Sequence, residues 1–432
     1  PSHALDVVAV TGTNGKTSTT HWIAQGINDL RAEAQRADGL LAADRGLDDA
    51  DAGAAAVSAG ADSPDAGSIG ATHGAGAHDA GAPGEPVRAA AGMRRPEALI
   101  MALDGEAERD VPVPAGAGVV IGTNGVGRPG QLEYVGLTTP DALTLQTLFQ
   151  QFRSNTDDPV AVVAMEASSI GIEQGRMAGT DIHTAVFTNL TRDHLDYHKT
   201  FAAYRDVKKR FFDALPTTAF ALVNNDDKNG AFMLQNTKAQ KKTYALKTHA
   251  DYKVYIIESR FDGLLLRINQ HEVWTKLIGE FNAYNLLAVY AAATLLGIDE
   301  LEALTLISAI EPVAGRFQYA VSATGVITIV DYAHTPDALE NVLKTINDIR
   351  THNETLTTVV GCGGNRDKGK RPIMADIATT LSDNVILTSD NPRYEEPETI
   401  LAEMEQGVQP QHFHKVQTIT DRRQAIQSVC KN

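Results

Sequence analysis

The sequence predicts an α/β protein: a P-loop-containing, mostly parallel sheet in a central domain, followed by a Rossmann-like α/β C-terminal domain. Three observations predict it. A valine-rich run at residues 6–10 leads into Thr11-Gly12-Thr13-Asn14-Gly15-Lys16-Thr17-Ser18, and helix-compatible sequence follows to about residue 30. Further on, short β-branched runs alternate with helical stretches, the pattern of parallel strands joined by crossover helices. Unusual polar residues then fall just past the carboxyl ends of the strands, the edge at which open α/β sheets hold ligands.

The first turn is read as a nucleoside triphosphate cradle. Gly12 and Gly15 let the main chain approach phosphate oxygens, and the helix that follows points its positive end at them. Lys16 adds a compact charge, and Thr17 or Ser18 offers a hydroxyl to Mg²⁺. Val10 stands where the common phosphate loop has its first glycine, but the strand before and the helix after supply the required context.

At 432 residues the chain has room for two or three domains. A net charge of −16 argues against an extended nucleic-acid surface and concentrates the basic residues at a small anionic site. Cys362 and Cys430 build neither a disulfide framework nor a metal finger, which fits a reducing, cytoplasmic setting. No apolar run reaches membrane-spanning length. The expected protein is a monomer acting on small molecules, without nucleic acid or membrane as partner.

From about residue 42 to 91 the composition shifts to Ala, Gly, Asp and Ser and loses its aromatics. Such a stretch buries too little to offset its ordering entropy, so it reads as a disordered or mobile insertion, with His73 and His78 solvated rather than metal ligands. A strand is expected at 119–121, followed by a second Gly-Thr-Asn-Gly at Gly122 to Gly125; Val126 replaces the lysine, so this echo reads as a plain turn. Strands are expected at 160–165, 184–188 and 220–224, and helices at 142–153, 201–212 and 285–296. Pro312 and Gly315 mark a break, giving domains 1–312 and 313–432. The second unit should hold strands at 326–330, 357–360 and 384–388 and helices at 336–350, 373–381 and 398–407.

Glu166 ends an apolar strand beside the phosphate turn, so it is read either as a Mg²⁺ ligand or as a helix-capping carboxylate. His194 lies in the polar cluster Thr191-Arg192-Asp193-His194-Leu195-Asp196-Tyr197-His198, a catalytic base or part of a plain loop. Lys208, in Lys208-Lys209-Arg210, belongs by default to a solvated helix face. The loop 361–372 joins glycines to four cations, and Asp390-Asn391-Pro392-Arg393 adds another arginine; two such loops at one edge suggest an acidic small molecule. Cys362 reads as a packed residue.

Taken together, several stretches resemble the Mur ligases: the phosphate turn, Leu137 to Asp141, Met165 to Ser169, Thr188 to His198, Phe281 to Asn285, Gly315 to Phe317, Asp331 to Asp337, and the two arginine loops. Within that family they look like the members that add the third peptide residue to UDP-N-acetylmuramoyl-L-alanyl-D-glutamate. The resemblance implies ATP and Mg²⁺ as cofactors. It implies that Gly12, Thr13, Asn14, Gly15, Lys16, Thr17 and Ser18 hold the phosphates and that Asn282 and Asn285 lie near the adenine. Arg316, Asp331 and His334 would close on the nucleotide. Thr138, Thr139, Ser168, Gln174 and Arg176 would contact the UDP-muramoyl dipeptide, and Thr17, Glu166, His194 and Lys208 the metal. Lys208 aligns with a lysine that the family carbamylates, and Lys16, Lys208 and His194 are the catalytic set. Arg366, Asp390, Asn391, Pro392 and Arg393 look like the site of the incoming diamino acid, in a form more similar to meso-diaminopimelate users than to lysine users.

This sequence departs from the family pattern at Asn365, at Glu280 and in its insertion, and a uridine-binding N-terminal domain and the far C-terminal motif are outside it. The alternatives are a related amide ligase such as a folylpolyglutamate synthase, or a non-catalytic nucleotide-binding module.

Overall fold

The computed structural model describes residues 5–54 and 116–431. By internal contacts, Pro1–Ala34 and Arg109–Asn432 form one unit and Gln35–Glu108 another. The larger unit is built on an eleven-stranded sheet in the order β11-β10-β9-β8-β7-β6-β1-β5-β2-β3-β4. Its strands are β1 (Asp6–Thr11), β2 (Ala117–Gly122), β3 (Gly125–Arg128), β4 (Gln131–Glu133), β5 (Val160–Glu166) and β6 (Thr184–Phe187). They continue as β7 (Phe220–Asn224), β8 (Gln240–Ala245), β9 (Tyr252–Arg260), β10 (Gly263–Ile268) and β11 (His271–Thr275). From β9 through β1 to β2 the pairing is parallel, and antiparallel strands extend both ends.

Side chains of the central strands alternate between two cores, as the period of an extended chain requires. Val8, Val10, Val162, Ala164 and Val186 pack with Trp22, Ile23 and Ile27 of the helix Lys16–Ala54 and with the helices Glu280–Leu295 and Glu300–Ala309. Val7, Ala9, Val163, Met165 and Phe187 face the helices Ala142–Ser154 and Phe201–Asp213 through Leu145, Phe149, Tyr204 and Phe212. Both faces are covered, so the strands read as continuous apolar runs.

The C-terminal part holds a two-stranded antiparallel ladder, β12 (Gln318–Val321) with β13 (Ile327–Val330). A three-stranded parallel sheet follows, made of β14 (Thr357–Val360), β15 (Asn384–Leu387) and β16 (Val416–Thr418). The helices Pro336–Ile349, Lys370–Leu381 and Pro397–Glu405 build its core with Leu339, Leu343, Val360, Met374, Leu387 and Leu401. A small apolar seam of Ile278, Phe317, Val342 and Ile346 joins this part to the large sheet.

The structure corrects three expectations. The first helix continues through residues 42–54, into the stretch expected to be disordered or mobile, where alanine favours helix and no proline interrupts it; the rest of that stretch, with His73 and His78, lies outside the described residues. The strand expected at 326–330 joins no parallel sheet but folds back on β12 through a tight turn, in which Ser322 N donates to Val326 O at 2.9 Å. Four strands between residues 240 and 275 were not foreseen; the short links after Arg260 and Ile268, with Asp262-Gly263 and a left-handed Asn269, are the hairpin signals that mark them. Among the described residues no helix is long and apolar enough to cross a membrane.

One glycine fixes how closely the first helix lies on the sheet. A Cβ on Gly118 would sit 2.6 Å from Ala24 O and 2.8 Å from Ala24 Cα, both backbone atoms. We expect Gly118→Ala to lower the unfolding free energy by about 1–3 kcal/mol in a urea titration; unchanged stability would contradict this packing.

Candidate active site at the carboxyl edge of the sheet

Parallel register brings the carboxyl ends of β1, β5 and β6 side by side, with Val10 opposite Glu166 and Thr11 opposite Phe187. The phosphate turn therefore emerges between Glu166 and the loop that follows Phe187. Gly12 and Gly15 have φ of 153° and 82°. A Cβ on Gly12 would lie 1.9 Å from Thr188 Oγ1, and one on Gly15 would lie 2.4 Å from Asn285 Oδ1. Side chains from elsewhere hold the turn: Thr188 Oγ1 donates to Asn14 O at 2.6 Å and Asn14 N donates to Asn189 Oδ1 at 2.9 Å. Thr13 and Ser18 are buried in the turn. Asn282 lies one helical turn before Asn285 and donates to Ile278 O at 2.8 Å, bracing the helix start that carries Asn285.

Two amines share one carbonyl at the head of the turn. Lys16 Nζ donates to Gly12 O at 3.1 Å and Thr13 O at 2.8 Å. Lys208 Nζ donates to Gly12 O at 2.9 Å and Thr11 Oγ1 at 3.0 Å. Lys208 is 1% exposed, contrary to the solvated-face default, because Tyr204, Val207, Lys208 and Phe211 form the inward stripe of the helix Phe201–Asp213. Burial lowers both amines below the usual lysine range, and for Lys208 the neighbouring Lys16 charge lowers it further.

Glu166 is 1% exposed. Its Oε1 accepts from Thr17 Oγ1 at 3.0 Å and Thr123 N at 2.8 Å, and Oε2 accepts from Thr123 Oγ1 at 3.2 Å. It caps no helix, so the capping alternative falls away; Ser168 caps the helix Ser169–Glu173. A buried carboxylate beside a hydroxyl is a hard-oxygen donor set, and it fits Mg²⁺ completed by phosphate oxygens. Among the described residues no three His, Cys, Asp or Glu side chains converge on a metal position, so protein carboxylates and imidazoles alone do not form a cage.

Asp193 gathers the next set. Its Oδ1 accepts from His194 N at 2.8 Å, and its Oδ2 lies 3.4 Å from His194 Nε2 and 3.6 Å from His334 Nε2. Burial opposes its charge, but the nearby His334, His194 and Lys370 hold it well below the usual carboxylate range. His194 adopts a left-handed backbone, φ 54°. From the C-terminal part, Arg316 Nη2 donates to Thr17 Oγ1 at 3.2 Å, its guanidinium lies 4.4 Å over the Tyr332 ring, and its buried Nε has no hydrogen-bond partner. Asp331, its carboxyl pushed up by burial, accepts from Phe317 N at 2.8 Å, and Asn14 Nδ2 donates to Asp337 Oδ2 at 3.0 Å.

The residues expected at the dipeptide form one connected chain. Thr138 Oγ1 lies 3.1 Å from Thr123 Oγ1, Arg176 Nη1 donates to Thr139 O at 2.8 Å, and Arg176 Nη2 donates to Gln174 Oε1 at 2.7 Å. Thr139 differs from the expectation. It is fully buried, and its hydroxyl is engaged by Glu166 O at 2.7 Å and Ser168 Oγ at 2.9 Å, so it braces Ser168 and offers no free hydroxyl.

The arginine loops find many of their partners within the C-terminal part. Arg371 is fully buried and paired with Glu395 at 2.9 Å and Glu403 at 2.6 Å, Lys368 faces the same carboxylates, and Lys370 donates to His334 O at 2.7 Å. Arg393 Nη1 donates to Gly364 O at 2.8 Å while Gly364 N donates to Asn391 O at 2.9 Å, zipping the two loops together. Pro392 and Asp390 line the same close approach: Cβ positions on Gly364 and Gly361 would lie 1.9 Å from Pro392 O and 3.2 Å from Asp390 Cβ. Arg366 pairs across to the other part, 3.3 Å from Asp196, beside Arg192, which grips Asp367 at 2.7 and 3.0 Å. Cys362 is packed against Met374, and burial pushes its thiol up to about 11. Thr123 and Asp193 were not singled out from sequence; Asp193 sat within a quoted cluster, and Thr123 within the dismissed echo.

Sheet, turn and side chains together define a phosphate-loop α/β protein whose second α/β part contributes to the loop's surroundings. The Mur ligase middle domain profile matches residues 113–293, and that of the Mur ligase glutamate ligase domain matches residues 315–432. The chain belongs to the Mur ligase family. The UDP-N-acetylmuramoyl-L-alanyl-D-glutamate--2,6-diaminopimelate ligase of Bacteroides thetaiotaomicron is 51% identical over 293 residues, 68% of this chain and 60% of that protein. This chain thus spans about 60% of the length of the curated relatives it matches. A solved structure of a ligase of the same name is 31% identical, with a TM-score of 0.55 over 99% of this chain and 70% of that one. A Mycobacterium tuberculosis folylpolyglutamate synthase, solved with ADP and AMPPCP, shares the fold at a TM-score of 0.59 and 14% identity over 100% of this chain and 85% of that one.

Burial holds the His194 imidazole down to about 4. An unfolded histidine takes a proton near 6.5, so between these values the unfolded chain binds a proton that the folded chain refuses. Stability should therefore fall as pH drops through that window. In metal-free buffer we expect His194→Asn to flatten this fall, by up to ~3 kcal/mol at its lower end, in urea titrations from about pH 7 to 4.5. An unchanged profile would show that His194 is not held neutral.

Proposed function

We propose that this chain carries the machinery of an ATP-dependent amide ligase that joins meso-diaminopimelate to UDP-N-acetylmuramoyl-L-alanyl-D-glutamate, with residues 1–312 as the nucleotide domain and 313–432 as the closing domain. One observation carries the reading: Lys16, Lys208 and the buried Glu166 carboxylate meet at a phosphate turn that Arg316 reaches from the C-terminal part. The name and 51% identity of the Bacteroides thetaiotaomicron relative support the choice of substrates.

ATP supplies the phosphoryl group that turns the dipeptide's terminal carboxylate into an acyl phosphate, and Mg²⁺ offsets charge on it. The chain's own residues do the rest. Lys16 leaves its loop carbonyls to offset the charge gathering on the transferred group, and Arg316 adds a second cation from the other side. Thr17 and Glu166 would hold Mg²⁺, with His194 and Lys208 beside them. Lys208, a buried amine held well below the usual lysine range, is set to add CO₂ as a carbamate with loss of one proton; that turns an amine into an oxygen donor. Thr138, Ser168, Gln174 and Arg176 orient the dipeptide. Arg366 and the loop Asp390 to Arg393 present the amino acid, whose free amine attacks the activated carbonyl and releases phosphate. Closure of the C-terminal part excludes water from the acyl phosphate. The setting proposed is cytoplasmic, and the acting form a monomer.

The test is phosphate release by the chain, expressed with any flanking sequence its gene encodes, in the presence of ATP, Mg²⁺, the muramoyl dipeptide and each candidate amino acid. Diaminopimelate should drive release, and lysine much less. Release driven by glutamate with a folate, or nucleotide binding without any release, would overturn the reading. Lys208→Ala should cut turnover at least a hundredfold with ATP binding largely kept; full turnover in that variant would remove the carbamate role.

A further inference from the structure

The second Gly-Thr-Asn-Gly turn, residues 122–125, has no part in the mechanism above, yet it touches the most buried carboxylate of the site. It is the two-residue link between β2 and β3, Thr123-Asn124, with Gly125 at φ 128°. A Cβ on Gly122 would lie 2.5 Å from Glu166 Oε1, so only a glycine lets the Glu166 carboxylate lie against the strand end. The next residue then binds both of its oxygens. Thr123 N donates to Oε1 at 2.8 Å and Thr123 Oγ1 to Oε2 at 3.2 Å.

The direction of these bonds follows from the chemistry. The Thr123 hydroxyl has one proton, and it is donated to Glu166. The contact of 3.1 Å between Thr123 Oγ1 and Thr138 Oγ1 must then be donated by Thr138. The proton order runs Thr138 to Thr123 to Glu166. The third donor, the Thr17 hydroxyl at 3.0 Å, is of a different kind. It must turn its proton away from any cation that Thr17 and Glu166 bind together, whereas the Thr123 donors donate to Glu166 alone.

We propose that Thr123 is a positioning residue: it fixes the plane of the Glu166 carboxylate so that a divalent cation meets it without reorganisation. This rests on the reading of the site as a magnesium nucleotide site. Two fixed donors on one carboxylate remove its torsional freedom before the cation arrives, the condition under which electrostatic binding is strongest. Thr123 does not itself touch nucleotide or substrate in this role.

The experiment compares the affinity of a non-hydrolysable ATP analogue in EDTA and in Mg²⁺ by titration calorimetry, for wild type, Thr123→Val and Thr123→Ser. Valine keeps the shape and the backbone N–H and deletes only the hydroxyl; serine keeps the hydroxyl. The expected result is a three- to tenfold smaller magnesium-dependent gain for T123V, with unchanged affinity in EDTA and with T123S within about twofold of wild type. Thr123→Ala deletes the same hydroxyl with less bulk should the valine variant not fold. A wild-type gain in T123V, an equal loss with and without Mg²⁺, or failure of serine to restore the gain would each overturn the proposal. If the wild type itself shows no magnesium-dependent gain, the nucleotide reading fails, and the fault is then visible in the unmutated chain.

Discussion

The parallel pairing of β1 between β5 and β6 is the constraint on which the site depends. With Val10 beside Glu166 and Thr11 beside Phe187, the strand that launches the phosphate turn ends level with the strands that supply the carboxylate and the 188–198 loop. A slip of one residue would reverse every side chain on β1 between the two cores, so apolar packing on both faces fixes the position of polar chemistry at the edge. The turn is then clasped by Thr188 and Asn189 and backed by Asn285, and no glycine alone determines its shape.

Charge is handled by sharing. Two amines donate to the Gly12 carbonyl, one carboxylate collects donors from Thr17 and Thr123, and Asp193 faces two imidazoles drawn from different parts of the chain. The proposed chemistry follows from this arrangement, because a buried amine, a buried acceptor and a partly unpartnered guanidinium are groups that gain partners when polyanions and cations enter.

Much of this was legible in the sequence. The phosphate turn, the parallel strands and their polar carboxyl ends announce themselves through local spacing, and Glu166 stood out at its strand end; Lys208 read as a solvated helix residue and was singled out only through the family resemblance. What stayed hidden depended on partners distant in the chain. Arg371 and Arg393 count as free cations until Glu395, Glu403 and the Gly364 carbonyl are brought to them by folding. Thr123 is unremarkable until β2 lies beside β5 and delivers it to Glu166. The hairpins between 240 and 275 were missed for another reason: their alternation is weakened by bulged pairing and by charged residues on an exposed face, so turn chemistry marks them better than periodicity does.

The two parts of the larger unit are held together by bonds of unlike kind. One kind is the apolar seam of Ile278, Phe317, Val342 and Ile346; the other is the set of ionic and polar contacts Arg192 to Asp367, Arg366 to Asp196 and Asn14 to Asp337. Dissolved salt screens the second kind and leaves the first intact. Raising ionic strength thus weakens the ionic contacts between the two parts while the apolar seam persists, so the molecule resembles a clasp with a greasy pivot and an electrolyte-sensitive catch.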